Sequence, residues 1–600
     1  MRPAGADMSQ ISAGSESSAK LKSDQVSVDV VNGEMTKWTC DHPLPPACAD
    51  RAENTADGHA VDRQLRREDG SCRPEPCRDA EESEGMPAPL NTQMLVIGGV
   101  IGTGLFLGTA GNLHNGGPAG LLISYCIMAS LLYSVMVGLG EMIAAFPIAG
   151  GHVSLIGRYS SPELSFAVGW LYWYCYIVLL PAEMSAGAVL ITYWTKPSET
   201  CTSGVCNNAM WVGLMLIVVL LVNFLGTKAW GECEFWAASI KVITIVGLII
   251  VGIVITAGGG PDHTSIGFRF WHETGGFVQY KGIPGAWGRF LGFFSVLITA
   301  AFAFIGTEMS ALAAAETSNP AKSVPRAIKT VWIRLALFYI IGALVIGMLV
   351  SPDDPQLDLA STAAGSPFVI AIQRAGIRAL PSIVNAALLT SAWSAAICDL
   401  YVSSRTLYGL YVRGVTPRFL DKYLGKTRKS DGLPWVCVCI CAVFTPLSFF
   451  AASNDSSAGT AFGYFANMCA VCGMLTWTVI LYTCIRFNKG LKRQGIDRAT
   501  LPYRAPLQPY LSWYGLVVSI VVIVFSGFSN FIHSFNTSGF ITTYFGIPFF
   551  LVLLLGYKIW HRSKQIQFKD MDFKTGFSLD IPEDPKDEEK GVWGWIKTNI

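Results

Sequence analysis

Three ionisable residues stand where ionisable residues are expensive. Lys241 sits in Phe235-Trp236-Ala237-Ala238-Ser239-Ile240-Lys241-Val242-Ile243-Thr244-Ile245-Val246. Glu183 follows Pro181 in one apolar run, and Glu308 follows Ile305-Gly306-Thr307 in another. A charge inside an apolar segment of membrane length is costly, which makes it a functional hypothesis by default. An ammonium buried at Lys241 would have a lowered pKa and could lose and regain a proton, replacing a bound sodium ion as the coupling device. The alternative is a lysine near a helix start, two turns from Glu234, whose stem climbs to the interface. Glu183 and Glu308 could each attract a substrate ammonium group; Glu183 could equally tie helices together. Asp399 could pair with Arg405, but six residues is an awkward helical spacing, and it is assigned no role.

The binding chemistry is suggested by backbone. The stretch Gly98-Gly99-Val100-Ile101-Gly102-Thr103-Gly104-Leu105-Phe106-Leu107-Gly108 lies in an apolar run, yet each glycine costs a helix about 1 kcal/mol relative to alanine. Broken backbone inside a bilayer is tolerated only where protein or a cavity satisfies it. Close helix packing through Gly104 and Gly108 is the bland reading. A nucleotide-binding loop lacks its strand and its amphipathic helix. The motif Ile101-Gly102-Thr103-Gly104 recurs as Ile305-Gly306-Thr307-Glu308, and paired interruptions in two halves of a chain point to a transporter site at the midplane. Amides at Gly102, Thr103 and Gly104 would bind a carboxylate. Carbonyls near Ala303, Phe304 and Ile305 would accept from an ammonium. Together they would clamp an α-amino acid, with Phe304 as a gate. No metal or cofactor is expected beyond the proton.

These residues need membrane-spanning elements to position them, and the composition supplies them. Of 600 residues 51% are apolar and 14% charged, which excludes a soluble globular enzyme. A net charge of +1 argues against nucleic acid as a partner; the lipid bilayer is the expected surroundings. The first ninety residues are polar and carry no apolar core of a signal peptide; they read as a disordered tail, 1–90. Cys40, Cys48, Cys72 and Cys77 in that tail lack zinc-site spacing.

Apolar segments of roughly 20 residues follow at about 94–111, 118–140, 164–194, 209–226, 235–257, 290–314, 331–350, 380–412, 434–452, 460–485, 511–532 and 540–560. After the second, Pro147-Ile148-Ala149-Gly150-Gly151 breaks the chain and an interfacial stretch continues to Tyr159. The expectation is an all-α integral membrane protein of about twelve helices. Residues 91–490 form a core of ten, 491–562 two more, and 563–600 a charged tail.

Basic residues set the orientation. Arg413, Arg418, Lys422, Lys426, Arg428 and Lys429 fall in one inner loop, and Arg486, Lys489, Lys492, Arg493, Arg498 and Arg504 in another. Both termini are then cytoplasmic. Cys201 and Cys206 fall in an outer loop where a disulfide is permitted. Asn454-Asp455-Ser456 and Asn536-Thr537-Ser538 are glycosylation sequons in outer loops.

The ordered set of motifs resembles the fungal amino-acid permeases, the yeast amino-acid transporter family of the amino acid–polyamine–organocation superfamily. It comprises Ile97–Phe106, Gly140-Glu141-Met142, Pro181-Ala182-Glu183, Ser239-Ile240-Lys241-Val242, Phe304-Ile305-Gly306-Thr307-Glu308, Ala315–Pro320, Ser323–Ile328 and Ser403–Gly409. The resemblance implies a five-plus-five inverted repeat with broken helices 1 and 6 and two extra helices. It also implies plasma-membrane placement and proton-coupled import of L-amino acids. The stretches Leu179–Glu183 and Gly267–Trp271 look like permeases of filamentous fungi, including dicarboxylic carriers, so dicarboxylic or broad neutral substrates are expected. Ala303 stands where a serine is often found and Ile397 where an asparagine is usual, which makes the site less polar.

The competing reading is an amino-acid sensor that does not transport and signals through its cytoplasmic tail. Ubiquitination or trafficking machinery is an expected partner of the tails, at lysines such as Lys20 and Lys22. No nucleophile–base pair or metal cluster suggests an enzyme.

Overall fold

The computed structural model describes residues 102–578, apart from 149, 196–207, 262, 310–319, 358–365, 429–431 and 453–456. The 1–90 tail, the first half of segment one, the Cys201 and Cys206 loop, the Asn454 sequon and residues 579–600 lie outside the described residues. The helices are α1 (Thr103–Phe106), α2 (Gly108–Ala145), α3 (Gly151–Tyr159), α4 (Pro162–Thr195), α5 (Asn208–Phe224) and α6 (Thr227–Thr256). Then come α7 (Arg269–Glu273), α8 (Gly285–Phe304), α9 (Pro320–Leu349), α10 (Pro367–Arg374), α11 (Leu380–Val412) and α12 (Arg418–Leu424). The series closes with α13 (Trp435–Ala442), α14 (Ser457–Arg493), α15 (Tyr510–Phe525), α16 (Thr537–Tyr544) and α17 (Gly546–His561).

Among the described residues seven helices are long and apolar enough to cross a membrane, or eight if the bent pair α16 and α17 is one span. Shorter apolar helices at Asn208–Phe224, Ala336–Leu349 and Trp435–Phe450 fall on the expected segments four, seven and nine. The chain is thus a multi-pass, all-helical membrane protein.

Local sequence explains the breaks. Segments one and two run almost end to end, because Gly117 alone turns the chain, with φ +72 inside the span of α2. A Cβ at Gly117 would meet the Gly276 carbonyl oxygen at 2.8 Å, and only glycine adopts that region without strain. Gly150, at φ +85, starts α3, as the Pro147–Gly151 break anticipates. Gly226, at φ +100, separates α5 from α6. Helix α6 therefore begins at Thr227, eight residues before the expected boundary, and carries Lys241 deep into the bundle.

Helix α4 is the centre: it packs along α11 and α14, while α2 packs against α8 and α9. Helix α6 is peripheral and two-faced. Trp236 and Ile243 stand 66% and 72% exposed, whereas Lys241 is 1% exposed. Large apolar side chains also remain exposed on α5, α15 and α17, among them Ile217, Val517 and Val552. Such a belt is satisfied by lipid and not by water.

The stretch following α17 folds back under the bundle. Arg158 on α3 donates through Nε to the Asp572 carbonyl at 2.8 Å and through Nη2 to the Thr575 carbonyl at 2.7 Å. It also pairs with the Asp572 carboxylate at 3.1 Å. Phe573 packs against Tyr159, Phe487 and Phe146, and Gln494 of α14 donates to the Phe568 and Met571 carbonyls. Residues 562–578 are a strap joining α3 to α14, where sequence suggests only a charged tail.

Candidate functional site

The start of α1 and the end of α8 meet at the centre of the bundle. Gly102 is extended and α1 starts beside it, its right-handed trace continuing through Leu107 into α2. Helix α8 ends at Phe304: Ile305 turns to φ −62, ψ 141, and Gly306 takes φ +93. The Phe304 carbonyl, released from the ladder, accepts from the Thr307 hydroxyl at 2.7 Å.

Helices α1 and α8 touch closely. A Cβ on Gly104 would lie 2.8 Å from the Ala303 Cα and 3.1 Å from its Cβ. Glycine at 104 and a small residue at 303 let the two breaks sit side by side.

A cavity opens at this contact. Its walls are Gly102 and Gly104, Leu179 and Glu183 of α4, Phe302, Ala303 and Ile305 of the α8 break, and Ala395 and Asp399 of α11. Its volume is about 20 Å³, enough for about one water.

The polar groups on its wall are carboxylates. The Thr103 amide points at Glu183 Oε1 across 3.5 Å, a long hydrogen bond. A Cβ on Gly102 would lie 2.8 Å from that same oxygen. Glu183 Oε2, Asp399 Oδ2 and the Thr103 hydroxyl are buried without a hydrogen-bond partner. Buried polar atoms without partners are rare and call for an explanation.

Behind the cavity, Lys241 Nζ pairs with Glu234 Oε1 at 3.6 Å, with side chains 0% and 1% exposed. The other Glu234 oxygen accepts from Ser394 of α11 at 2.6 Å. The whole Lys241 side chain is buried, and the early start of α6 sets it more than three turns into that helix.

The structure thus brings Gly102, Gly104, Ala303, Ile305 and Glu183 to one cavity, with the Thr103 amide at its edge. Glu308 does not line it: it is buried beneath, accepting from Trp477 Nε1 of α14 at 3.2 Å. Phe304 does not line it either; it packs between Tyr125 and Tyr339, 6.0 and 4.6 Å away. Asp399, which sequence left without a role, is on the wall. Ile397 is off the wall, its carbonyl accepting from Asn223 at 3.1 Å.

Residues 91–570 match the family model described as "Amino acid permease". The chain is 39% identical to a proline-specific permease of Emericella nidulans, over 84% of this chain and 92% of that one. It is 37% identical to the dicarboxylic amino acid permease of Saccharomyces cerevisiae, over 83% and 81% of the two chains. It is likewise 37% identical to the lysine-specific permease of that yeast, over 83% and 80%.

Proposed function

The chain belongs to the amino acid permease family, and on that premise we propose that it imports L-amino acids across the plasma membrane by proton symport. The observation that carries the reading is the meeting of the start of α1, at Gly102, and the end of α8, at Ile305, on one cavity. A substrate carboxylate would take the amides at Gly102, Thr103 and Gly104. Its ammonium would take carbonyls near Ala303, Phe304 and Ile305 and the carboxylates of Glu183 and Asp399. A cavity of about 20 Å³ is too small for an amino acid, so substrate enters only when the two halves rock apart. That motion fits a five-plus-five inverted repeat with two extra helices and both termini cytoplasmic.

Charge counting supports the proton. Glu183 and Asp399 line the cavity and Glu234 pairs with Lys241 behind it, three carboxylates against one ammonium, all buried. Uncompensated buried charge is costly in a membrane interior, so such a cluster tends to hold protons. Lys241, with Glu234 as acceptor at 3.6 Å, remains the proposed coupling group.

The substrate side chain is read from the wall. Relatives named for proline, dicarboxylic acids and lysine stand at nearly the same identity, so their names do not separate the classes. Both polar side chains lining the cavity are carboxylates, which favours broad neutral substrates over acidic ones. Uptake of a panel of radiolabelled L-amino acids in permease-deficient cells, at acidic pH with and without an uncoupler, tests the proposal. Uncoupler-sensitive accumulation is expected. Surface-expressed protein that takes up none of them would point instead to a sensor.

A further inference from the structure

We propose that the groove on α4 between the ends of α11 and α17 binds the phosphate headgroup of an anionic phospholipid, with Arg413 as its counter-charge. The inference rests on the chain crossing a membrane and not on what it carries. The orientation proposed above puts the site in the cytoplasmic leaflet.

Arg413 is a cation without an anion. It lies one residue beyond the α11 span and is half-buried. Its side chain runs back along α3, with Cδ 3.7 Å from where a Cβ on Gly150 would stand and Nη2 3.7 Å from where one on Gly157 would stand. Nη2 donates to Ser165 Oγ of α4 at 2.5 Å, and that hydroxyl donates in turn to the Val153 carbonyl at 2.6 Å. The remaining guanidinium N–H groups have no acceptor and no carboxylate partner among the described residues, and they are not sealed from the surroundings. Glu163, two residues before Ser165, instead accepts from Ser563 of the strap at 2.8 Å.

A cation at a helix C-terminus is mildly favoured in its own right. That does not account for a guanidinium drawn out of water against two other helices, which is costly without a counter-charge. At the level where the spans end, the abundant anion is a lipid phosphate, which an arginine meets with two parallel N–H donors.

The surroundings fit a lipid. Helices α11 and α17 both pack against α4. Trp170 of α4 donates to the Val415 carbonyl, just past Arg413, at 3.3 Å. Phe166 lies 6.4 Å from Trp170 and stacks on Tyr557 of α17 at 4.6 Å, and Tyr557 stacks on His561 at 4.1 Å. A half-buried aromatic wall thus crosses α4 from the Arg413 turn to the end of α17. Leu553 and Leu554, half-buried one turn before Tyr557, extend it as an apolar track for an acyl chain. Lys558, His561 and Arg562 are exposed at the rim. They favour a headgroup of net negative charge, because the choline of a zwitterionic lipid would meet like charges there.

Native mass spectrometry tests this on the full chain, delipidated in detergent and titrated with phosphatidylserine or phosphatidylcholine of matched acyl chains. Wild type should bind the first phosphatidylserine at least about fivefold more tightly than phosphatidylcholine, and Arg413→Gln should lose about tenfold in phosphatidylserine affinity. Equal affinity of wild type for the two lipids, or undiminished phosphatidylserine affinity in Arg413→Gln, would overturn the proposal. Millimolar inorganic phosphate separates the two sources of the anion. It should leave the lipid in place, and displacement of phosphatidylserine would overturn the lipid assignment in favour of soluble phosphate. If Arg413→Gln fails to assemble, Lys558→Gln/Arg562→Gln alters exposed side chains alone. It should lower phosphatidylserine affinity several-fold and spare phosphatidylcholine, and an unchanged preference would overturn the proposal. Uptake plays no part in the measurement, so failure here leaves the transport reading standing, and failure of uptake leaves the lipid site standing.

Discussion

The point where a Cβ on Gly104 would stand lies 2.8 Å from the Cα of Ala303, so α1 and the end of α8 meet backbone to backbone. At that distance no side chain fits unless one break moves. Gly104→Val is expected to cut uptake at least about tenfold while the protein still reaches the surface, since overpacking of this kind costs about 1–3 kcal/mol. Initial uptake rates normalised to surface protein measure it. Wild-type rates in that variant would show that the breaks need not meet during transport.

Lys241 and Glu234 form a pair that water does not reach. Lys241→Met should abolish concentrative uptake and, by stranding the Glu234 carboxylate, lower stability by about 3–5 kcal/mol. The double variant Lys241→Met/Glu234→Gln removes the stranded charge. It should regain most of the melting temperature in detergent without regaining accumulation. Proton-driven accumulation in either variant would remove Lys241 from the coupling step.

His152 lies on α3, outside the spans, 2% exposed, with its ring edge-on to Tyr172 at 4.7 Å and neither nitrogen hydrogen-bonded. Burial first, and the nearby Arg413 charge second, lower its pKa to about 3. The unfolded chain would take up the proton near 6.5, so stability should fall by about 1.4 kcal/mol per pH unit as pH drops from about 6.5 towards 3. His152→Phe keeps the packing and cannot titrate. Melting curves of purified protein between pH 5 and 7 should be flatter for the variant; parallel curves would assign the acid sensitivity elsewhere.

Asp572 holds the strap to Arg158. Its slight burial raises the pKa, but backbone hydrogen bonds from Thr575 and Lys574 and the Arg158 charge outweigh that and lower it to about 2. A depressed carboxylate stabilises above its unfolded value near 3.9 and loses that contribution only as pH falls through about 2. The strap should therefore stay docked throughout the mildly acidic range. Phe573→Ala, which empties a buried aromatic contact, should release it at neutral pH. Limited proteolysis between residues 562 and 578 reads the difference, and equal protection in wild type and variant would deny Phe573 that role.

Much of the site was legible because its signal was a residue type out of place. Gly102, Gly104 and Gly306 interrupt apolar runs, and Glu183 and Lys241 are charges in apolar runs, so each announces itself without knowledge of packing. Leu179, Phe302 and Ala395 are apolar residues among apolar residues, and only the packing of α4, α8 and α11 selects them for the wall. Asp399 was visible as a charge, but which face of α11 it occupies depends on helix neighbours far away in the chain. Phe304 and Glu308 show the reverse: they adjoin the end of α8, yet Phe304 packs between Tyr125 and Tyr339 and Glu308 accepts from Trp477. The boundary of α6 was misplaced because Thr227–Glu234 is too polar to resemble a span. It is helical because Glu234 finds Lys241 and Ser394 inside the bundle. The strap has no periodicity to read; carbonyl contacts to Arg158 and Gln494 hold it.

The one-residue joint at Gly117 has a mechanical consequence. With no slack between the first two spans, they form a fixed corner, braced by the Ala119 amide donating to the Gly276 carbonyl at 2.8 Å. Any swing of the Gly102 break must then pivot about that corner like a lever about its fulcrum. Travel would be greatest at the end far from that corner, the end at which α3 and the strap lie.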